Sequence, residues 1–491
     1  MCRTDFLCRS DERGQRPELT TLASFDGTDG EFALGPLVQA TDGNFYGTTE
    51  TGGANGAGTI YAMTPGGQLT ALYTFCSQPN CADGLAPYAG LVQATNGNFY
   101  GTTAFGGGNA NCYGNTCGTI FEMTPQGELT SLYAFCPQKP CRDGAYPYGG
   151  LTQAVSGNLY GTASAGGTHM SGTVFEITLG GGFTTLASFC PQPGCAGGSV
   201  PAATLLQATN RSFYGTTRKN GSYDGGVFRV TPAGYLTTLH NFCGQPDCAD
   251  GKLPSAGLVQ ARNGNLYGAT EAGGNCQQVS GGCGTIYEIT LSGQLTTIYN
   301  FCSQPNCADG WEPDGNLVEA TDGNLYGMTI LGGNPACLSG AGCGTVFEIT
   351  PSGQLTTVYS FCSQPNCADG WDPTSLMQDT DGNLYGTTLY GGANDCESGL
   401  GCGTVFRLSV GLGAFVKTLP AAGKVGAEVG ILGNSLTGAT SVTFNGVPAQ
   451  FTVKSPTLIV THLPSGATTG TVQVTLPAGT LSSNVPFYVI P

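Results

Sequence analysis

Residues 317–329, LVEATDGNLYGMT, lead through a glycine-rich loop to residues 344–361, GTVFEITPSGQLTTVYSF, and these two stretches decide the fold. Four segments stand out in them, at 317–321, 324–329, 344–350 and 355–361. Each is short and rich in β-branched and aromatic residues, and each alternates enough to offer a face to either side, which is the pattern of strands. Between the first two lies Asp322-Gly323, which predicts a two-residue hairpin with both central residues at positive φ. Pro351-Ser352-Gly353-Gln354 predicts a second turn between the last two.

Outward from this unit the same pattern recurs. Tyr-Gly followed by a Thr-rich pair occurs at Tyr46, Tyr100, Tyr160, Tyr214, Tyr267, Tyr326 and Tyr385, at spacings of 53 to 60 residues. A four-stranded unit of that length, repeated seven times, predicts a seven-bladed β-propeller. The frame is shifted. An LTTLYSF-type strand comes first, at residues 19–25, while the last repeat stops at 403–409 without an unambiguous copy of its own. The N-terminal strand is therefore expected to be the outer strand of the last blade and to close the ring, which removes exposed sheet edges. Residues 415–419 are the competing candidate and are assigned instead to the next domain.

From about residue 414 the repeat is lost, and several short strands broken by Gly and Pro turns fill fewer than 80 residues. This predicts a small immunoglobulin-like β-sandwich. The expected division is a disordered segment over 1–18, the propeller over 19–411 and the sandwich over 414–491.

Composition agrees with an all-β chain. Of the 491 residues 81 are Gly and only 10% are charged, and the formal net charge of -16 disfavours nucleic acid and anionic membrane surfaces as partners. No apolar run approaches the roughly 20 residues that span a bilayer. The opening residues lack the apolar core of a secretory signal, so no signal peptide is visible, yet the cysteines point to an oxidising compartment. The cysteines are given the greater weight, and an extracellular or cell-surface location is expected.

Twenty of the 22 cysteines form close pairs. In the loops between blades these are Cys76/Cys81, Cys136/Cys141, Cys190/Cys195, Cys243/Cys248, Cys302/Cys307 and Cys362/Cys367; within blades they are Cys112/Cys117, Cys276/Cys283, Cys337/Cys343 and Cys396/Cys402. Short intervening loops allow local disulfides, whereas zinc needs four ligands and each loop supplies two. No metal is assigned. Calcium at Asp26/Asp29 or Asp309/Asp314 is a minor option, because these pairs lack the alternating oxygens of a calcium loop.

Alternate connections of an up-and-down blade lie at opposite ends of the sheet. The Asp-Gly and Pro-x-Gly turns therefore share one bare face, and every cysteine pair falls on the other. Preordered loops lose less entropy on contact, so the braced face is read as the binding face; protection of glycine-rich loops from proteolysis is the plainer alternative. On it Asp-Gly-x-x-Pro recurs at Asp83, Asp143, Asp250, Asp309 and Asp369, with Gly197 breaking the pattern. An Asp there serves either to hold a turn or to bind. Trp311-Glu312 and Trp371-Asp372 carry the only two tryptophans, placed either to stack on sugar rings or to cover blade junctions. The fourth repeat departs most, with Arg211, Arg218, Lys219 and Arg229, and is a candidate contact patch.

The repeat LVQATDGNFYGTT…GTIFEMTP resembles the bacterial tandem repeat called GloVer, found in proteins thought to be exported or surface-anchored, over about residues 19–410. Residues 414–491 resemble an IPT/TIG domain through Pro420, Gly423 and Gly426, the Phe444-Asn445-Gly446 turn and Leu463-Pro464. The resemblance implies a spacer or binding module and no catalytic residue. His169, His240 and His462 are scattered, and no nucleophile elbow or phosphate loop is present. The leading expectation is a non-enzymatic, monomeric surface binding or adhesion protein for a polysaccharide or protein, with ligand candidates Trp311, Glu312, Trp371, Asp372, Asp309, Asp369, Arg218 and Lys219. The alternatives are a carbohydrate-active hydrolase or lyase using Glu312 with Asp372, and a structural surface-layer component.

Overall fold

The computed structural model describes residues 17–490 apart from 110, 113–115, 191–197, 220–223, 277, 278, 280, 397 and 398. The segment expected to be disordered lies outside them as far as residue 16, and Glu18 already begins a strand.

Seven antiparallel sheets of the repeat type lie among the described residues, and six of them take their strands from one consecutive stretch of chain. The sixth consists of Trp311–Glu319, Leu325–Leu331, Thr345–Ile349 and Leu355–Ser360. The seventh takes Trp371–Gln378, Leu384–Tyr390 and Thr404–Ser409 from its own repeat and Glu18–Ser24 from the other end of the chain, with Leu19 opposite Leu408. Residues 415–419 go elsewhere, since Lys417–Leu419 pairs with Glu428–Leu432 in the C-terminal domain.

The repeated motif has a packing reason. Gly327 lies opposite Phe347 in register, and a Cβ on it would stand 2.5 Å from the Phe347 ring. Glycine after tyrosine thus makes room for the aromatic of the next strand. Thr329 Oγ1 lies 2.9 Å from Thr345 Oγ1, which satisfies two buried hydroxyls across the same pair of strands. The outer strand ends in a buried phenylalanine that inserts between neighbours, as Phe75 does against Phe121 with ring centroids 5.3 Å apart.

The hairpin differs from the expected two-residue type. Gly323 N–H donates to Ala320 O and Ala320 N–H to Asn324 O, which makes a three-residue loop in which Gly323 alone has positive φ, at 86°. One left-handed residue after a type I turn suffices for this loop, and glycine supplies it without steric cost. Arg211 takes the same place in the fourth repeat at φ 65°.

The first strands of successive sheets approach most closely: a Cβ on Gly150 would stand 3.4 Å from Ala89 Cβ and 2.9 Å from Thr204 Oγ1. At their hairpin ends one side chain per repeat accepts an N–H from the preceding repeat. Thr41 donates to Gln93, Thr95 to Gln153, Val155 to Gln207, Thr209 to Gln260, Arg262 to Glu319 and Thr321 to Gln378. Thr380 donates in turn to Gln39 of the first sheet. Phe45 of the first sheet also stacks on Tyr385 of the seventh at 4.5 Å.

The C-terminal domain pairs two four-stranded sheets over a core that includes Val429, Ile431, Val442, Phe444, Ile459, Val472 and Phe487. It docks on the hairpin side of the repeats, which the sequence reading had left bare. Thr457 Oγ1 donates to Thr41 O, Asn434 Nδ2 to Asp379 Oδ2 at 3.1 Å, and the buried Lys417 Nζ to Gln378 O. On the fifth sheet Arg262 Nε donates to Asn484 O at 3.2 Å.

Candidate functional site

The opposite side carries the long loops. Disulfides join Cys76 to Cys81, Cys112 to Cys117, Cys136 to Cys141, Cys243 to Cys248, Cys276 to Cys283, Cys302 to Cys307, Cys337 to Cys343, Cys362 to Cys367 and Cys396 to Cys402. The tenth disulfide, expected between Cys190 and Cys195, differs from these nine because Cys195 lies outside the described residues. The expected pairing of Cys195 is therefore not among the bonds described. Counting two cysteines per loop missed their convergence. Cys112 Sγ is 3.9 Å from Cys141 Sγ, and the groups Cys112/Cys117/Cys136, Cys276/Cys283/Cys302 and Cys337/Cys343/Cys362 each bring three sulfurs within 4.8 Å. All of these sulfurs are oxidised in pairs, so they brace the loops and offer no thiolates.

The recurring Asp organises each braced loop. Asp369 Oδ2 accepts Tyr359 Oη–H at 2.8 Å and Ser363 N–H at 2.9 Å, while its Oδ1 accepts Gln364 N–H at 3.2 Å. Asp309 does the same with Tyr299, Ser303 and Gln304, and Asp83 with Tyr73, Ser77 and Gln78. In the fourth repeat His240 replaces the tyrosine and bonds to Asp250 at 3.0 Å. Asp309 and Asp369 are fully buried, which corrects their expected place at a ligand surface: their oxygens are turned inward because the loop's N–H groups need acceptors. The acidic pair Asp26/Asp29 named for calcium is likewise engaged within its own turn.

Two residues beyond Gly30, Gly84, Gly144, Gly198, Gly251, Gly310 and Gly370, the chain turns into the first strand through a left-handed, non-glycine residue. Phe32, Ala86, Tyr146, Val200, Leu253, Glu312 and Asp372 occupy this place with φ between 54° and 59°. The strain is balanced by an N–H bond to the preceding repeat's loop, from Glu312 to Cys283 O and from Asp372 to Cys343 O. These side chains are half-buried apart from the buried Ala86, and they differ around the molecule. On the second and third repeats the neighbourhood is aromatic, with Tyr88 edge-on to Tyr148 at 5.1 Å and Phe105 to Tyr146 at 5.7 Å.

On the later repeats it is acidic. Burial raises the Asp372 carboxyl to about 7, helped by the charges of Asp314 and Glu312. Burial also raises Glu312, with Glu271 and Asp314 adding to the effect. Glu271 is raised by burial against the pull of Arg218, whose guanidinium lies 3.1 Å away, and Asp314 accepts Ser255 Oγ–H at 3.0 Å. The structure thus gathers Glu312, Asp372 and Arg218 with Glu271 and Asp314, and leaves Lys219 exposed at the end of Phe213–Lys219. Glu271 was missed because no motif marks it.

The tryptophans lie beside this cluster and are half-buried. Trp311 Nε1 donates to Ala341 O at 3.2 Å, and Trp371 stacks on Tyr390 with centroids 4.3 Å apart. Both reach into the apolar clusters between sheets while keeping part of the ring accessible.

Residues 13–223, 114–335 and 276–444 match the Gloeobacter/Verrucomicrobia repeat, and residues 415–489 match the IPT/TIG domain. No curated protein matches the chain. Similar solved structures include a luciferin-regenerating enzyme, at 12% identity over 81% of this chain and 97% of that one with a TM-score of 0.40. A gluconolactonase from Xanthomonas campestris is similar at 11% identity over 82% and 93%, with a TM-score of 0.38. The aldose sugar dehydrogenase from Streptomyces coelicolor is similar at 12% identity over 80% and 99%, with a TM-score of 0.37. With its repeat matched across three overlapping stretches, this chain belongs to the Gloeobacter/Verrucomicrobia repeat family and ends in an IPT/TIG domain.

Proposed function

We propose that the seven sheets are the blades of a closed propeller, and that its disulfide-braced loop face is the contact surface of a non-enzymatic extracellular or cell-surface binding protein. The observation that carries this reading is the set of half-buried side chains held at left-handed positions on that face, aromatic on one side and acidic on the other. Strained, over-determined positions of this kind suit a preorganised contact site. Nine disulfides among the described residues support an oxidising compartment, and no helix among them is long and apolar enough to cross a membrane.

The ligand class is a polysaccharide or a surface protein, met by Trp311, Trp371, Glu312, Asp372 and Arg218, with Lys219 at the rim. Asp309 and Asp369 hold the loops that carry them. A glycan array on oxidised protein tests the reading: any glycan whose binding disappears in the Trp311→Ala/Trp371→Ala double variant supports it, and an array on which no glycan loses binding in that variant removes the site.

A second reading, a carbohydrate-active hydrolase or lyase, is favoured by one observation. A carboxyl raised to about 7 beside a second acidic group is suited to general acid catalysis near neutral pH. Polysaccharide turnover that is lost in Asp372→Asn would select this reading; binding without turnover selects the first.

A further inference from the structure

The sandwich touches hairpin turns on well-separated sheets of the repeat region. It holds the first and seventh through Thr457, Asn434 and Lys417, and the fifth through the Arg262–Asn484 contact. Between these points the two domains do not close on each other. A cleft of about 1130 Å³ remains, with Gln207, Thr209 and Gln260 on the repeat wall and Gln473, Ser482 and Asn484 on the sandwich wall.

The chemistry of the cleft is specific. Carboxamides and hydroxyls dominate its polar lining, and Leu412 and Val485 supply apolar surface between them. Its charged lining residues are engaged within the protein: the Arg262 backbone N–H donates to Glu319 at 3.0 Å, the Arg262 guanidinium is bonded to Ala320 O, Thr321 O and Asn484 O, and Asp322 accepts Asn324 N–H and Tyr326 Oη–H. The volume exceeds the roughly 300–1,000 Å³ of common small-molecule sites, which suits an extended ligand.

We propose that this interdomain cleft is a second binding site, distinct from the loop face, for a neutral polyhydroxylated ligand, namely an oligosaccharide of a few units. Carboxamides and hydroxyls donate to and accept from sugar hydroxyls in both directions, and apolar patches meet the C–H faces of the ring. A phosphorylated or carboxylated ligand is disfavoured, because the single cation among the named lining residues, Arg262, is already hydrogen-bonded to backbone carbonyls, and because two carboxylates, Glu319 and Asp322, line the same cleft. The sandwich is then a wall of a site as well as a cap on the hairpin side.

The test uses the full oxidised chain and four neutral trisaccharides, maltotriose, cellotriose, xylotriose and mannotriose, followed by titration calorimetry. One of them is expected to bind, with at least a tenfold loss of affinity in Ser482→Trp, which fills the cleft, and a smaller several-fold loss in Gln473→Ala, which leaves the strand intact. In the Trp311→Ala/Trp371→Ala background, which removes the loop-face site, that trisaccharide is still expected to bind and to lose affinity on Ser482→Trp or Gln473→Ala. The proposal is overturned if none of the four binds, if neither cleft variant weakens binding, or if the loop-face variant abolishes it. Should Ser482→Trp fail to fold, Gln473→Ala decides alone.

Discussion

Gln39 Nε2 donates to Thr380 Oγ1 at 2.7 Å across 341 residues of chain, and Gln39 Oε1 accepts Thr380 N–H in return. Six further contacts of the same kind link the other sheets in order. The Gln39–Thr380 pair is therefore where the first sheet meets the last. Both groups are buried, so removing the carboxamide leaves Thr380 N–H an unpaired donor rather than a solvated one and takes one of the donors from Thr380 Oγ1.

Gln39→Ala is expected to cost about 1–3 kcal/mol, the range for exposing buried polar groups without partners. Deleting residues 1–25 removes the outer strand of the seventh sheet and the fully buried Phe25, and is expected to abolish cooperative unfolding. Thermal melts of the two proteins check this. A deletion variant as stable as the parent would sink the closed ring.

Asp369 anchors its loop through a tyrosine hydroxyl and two backbone N–H groups. Asp369→Ala is expected to cost about 2–3 kcal/mol, and Tyr359→Phe about 1 kcal/mol, because the first strands three donors and the second one acceptor. Denaturant midpoints measured with the disulfides intact separate this brace from the cross-links. Equal losses in the two variants would contradict it.

The Asp372 carboxyl, raised to about 7, gives a pH signature with a definite sign. An unfolded aspartate titrates near 4, so between about pH 4 and 7 the folded state holds a proton that the unfolded state has released. Stability contributed by this group is present below that window and is lost as pH rises through it. Asp372→Asn is expected to melt close to wild type at pH 4.5 and above it at pH 8. A difference independent of pH would show that the carboxyl does not titrate in this range. Asp29 and Asp379, each raised to about 6, are common to both proteins and cancel in the comparison.

Asp379 stands where the other six repeats have alanine, at Ala40, Ala94, Ala154, Ala208, Ala261 and Ala320. Burial raises it, Asp381 adds to the rise and Lys417 opposes it, while burial lowers Lys417 itself. Asp379→Ala, which restores the repeat, removes one of the two carboxylates that offset the burial of Lys417 and leaves Asn434 Nδ2 without one of its acceptors, and is expected to destabilise the docked sandwich by about 1–3 kcal/mol. Limited proteolysis near residues 411–415 reads the loosening directly. The double variant Asp379→Ala/Lys417→Met is expected to recover most of the loss.

Strands, turns, the extra N-terminal strand and nine of the cysteine pairs were legible from order along the chain; the pair ending at Cys195 falls outside the described residues. Their signals are local: alternation within five to seven residues, a glycine where φ must be positive, and two cysteines a few residues apart. The hairpin was misread by one residue because a three-residue loop and a two-residue loop both end in Asp-Gly. The glutamine of LVQAT recurred in plain view at Gln39, Gln93, Gln153, Gln207, Gln260 and Gln378, yet nothing along one repeat shows that its partner lies in a neighbour.

The tertiary structure alone decided which side chains meet. Asp309 and Asp369 turn inward because the loop's own N–H groups need acceptors, while Glu312, Asp372, Glu271 and Arg218, drawn from four repeats, gather around one end of the inner strands. Seating the sandwich on the hairpin side was likewise beyond local pattern, because Asp379, Asn434 and Lys417 become partners only when strands about 40 to 55 residues apart are brought together. Local hydrogen bonding and periodicity write the blades into the sequence; convergence between blades is a property of packing.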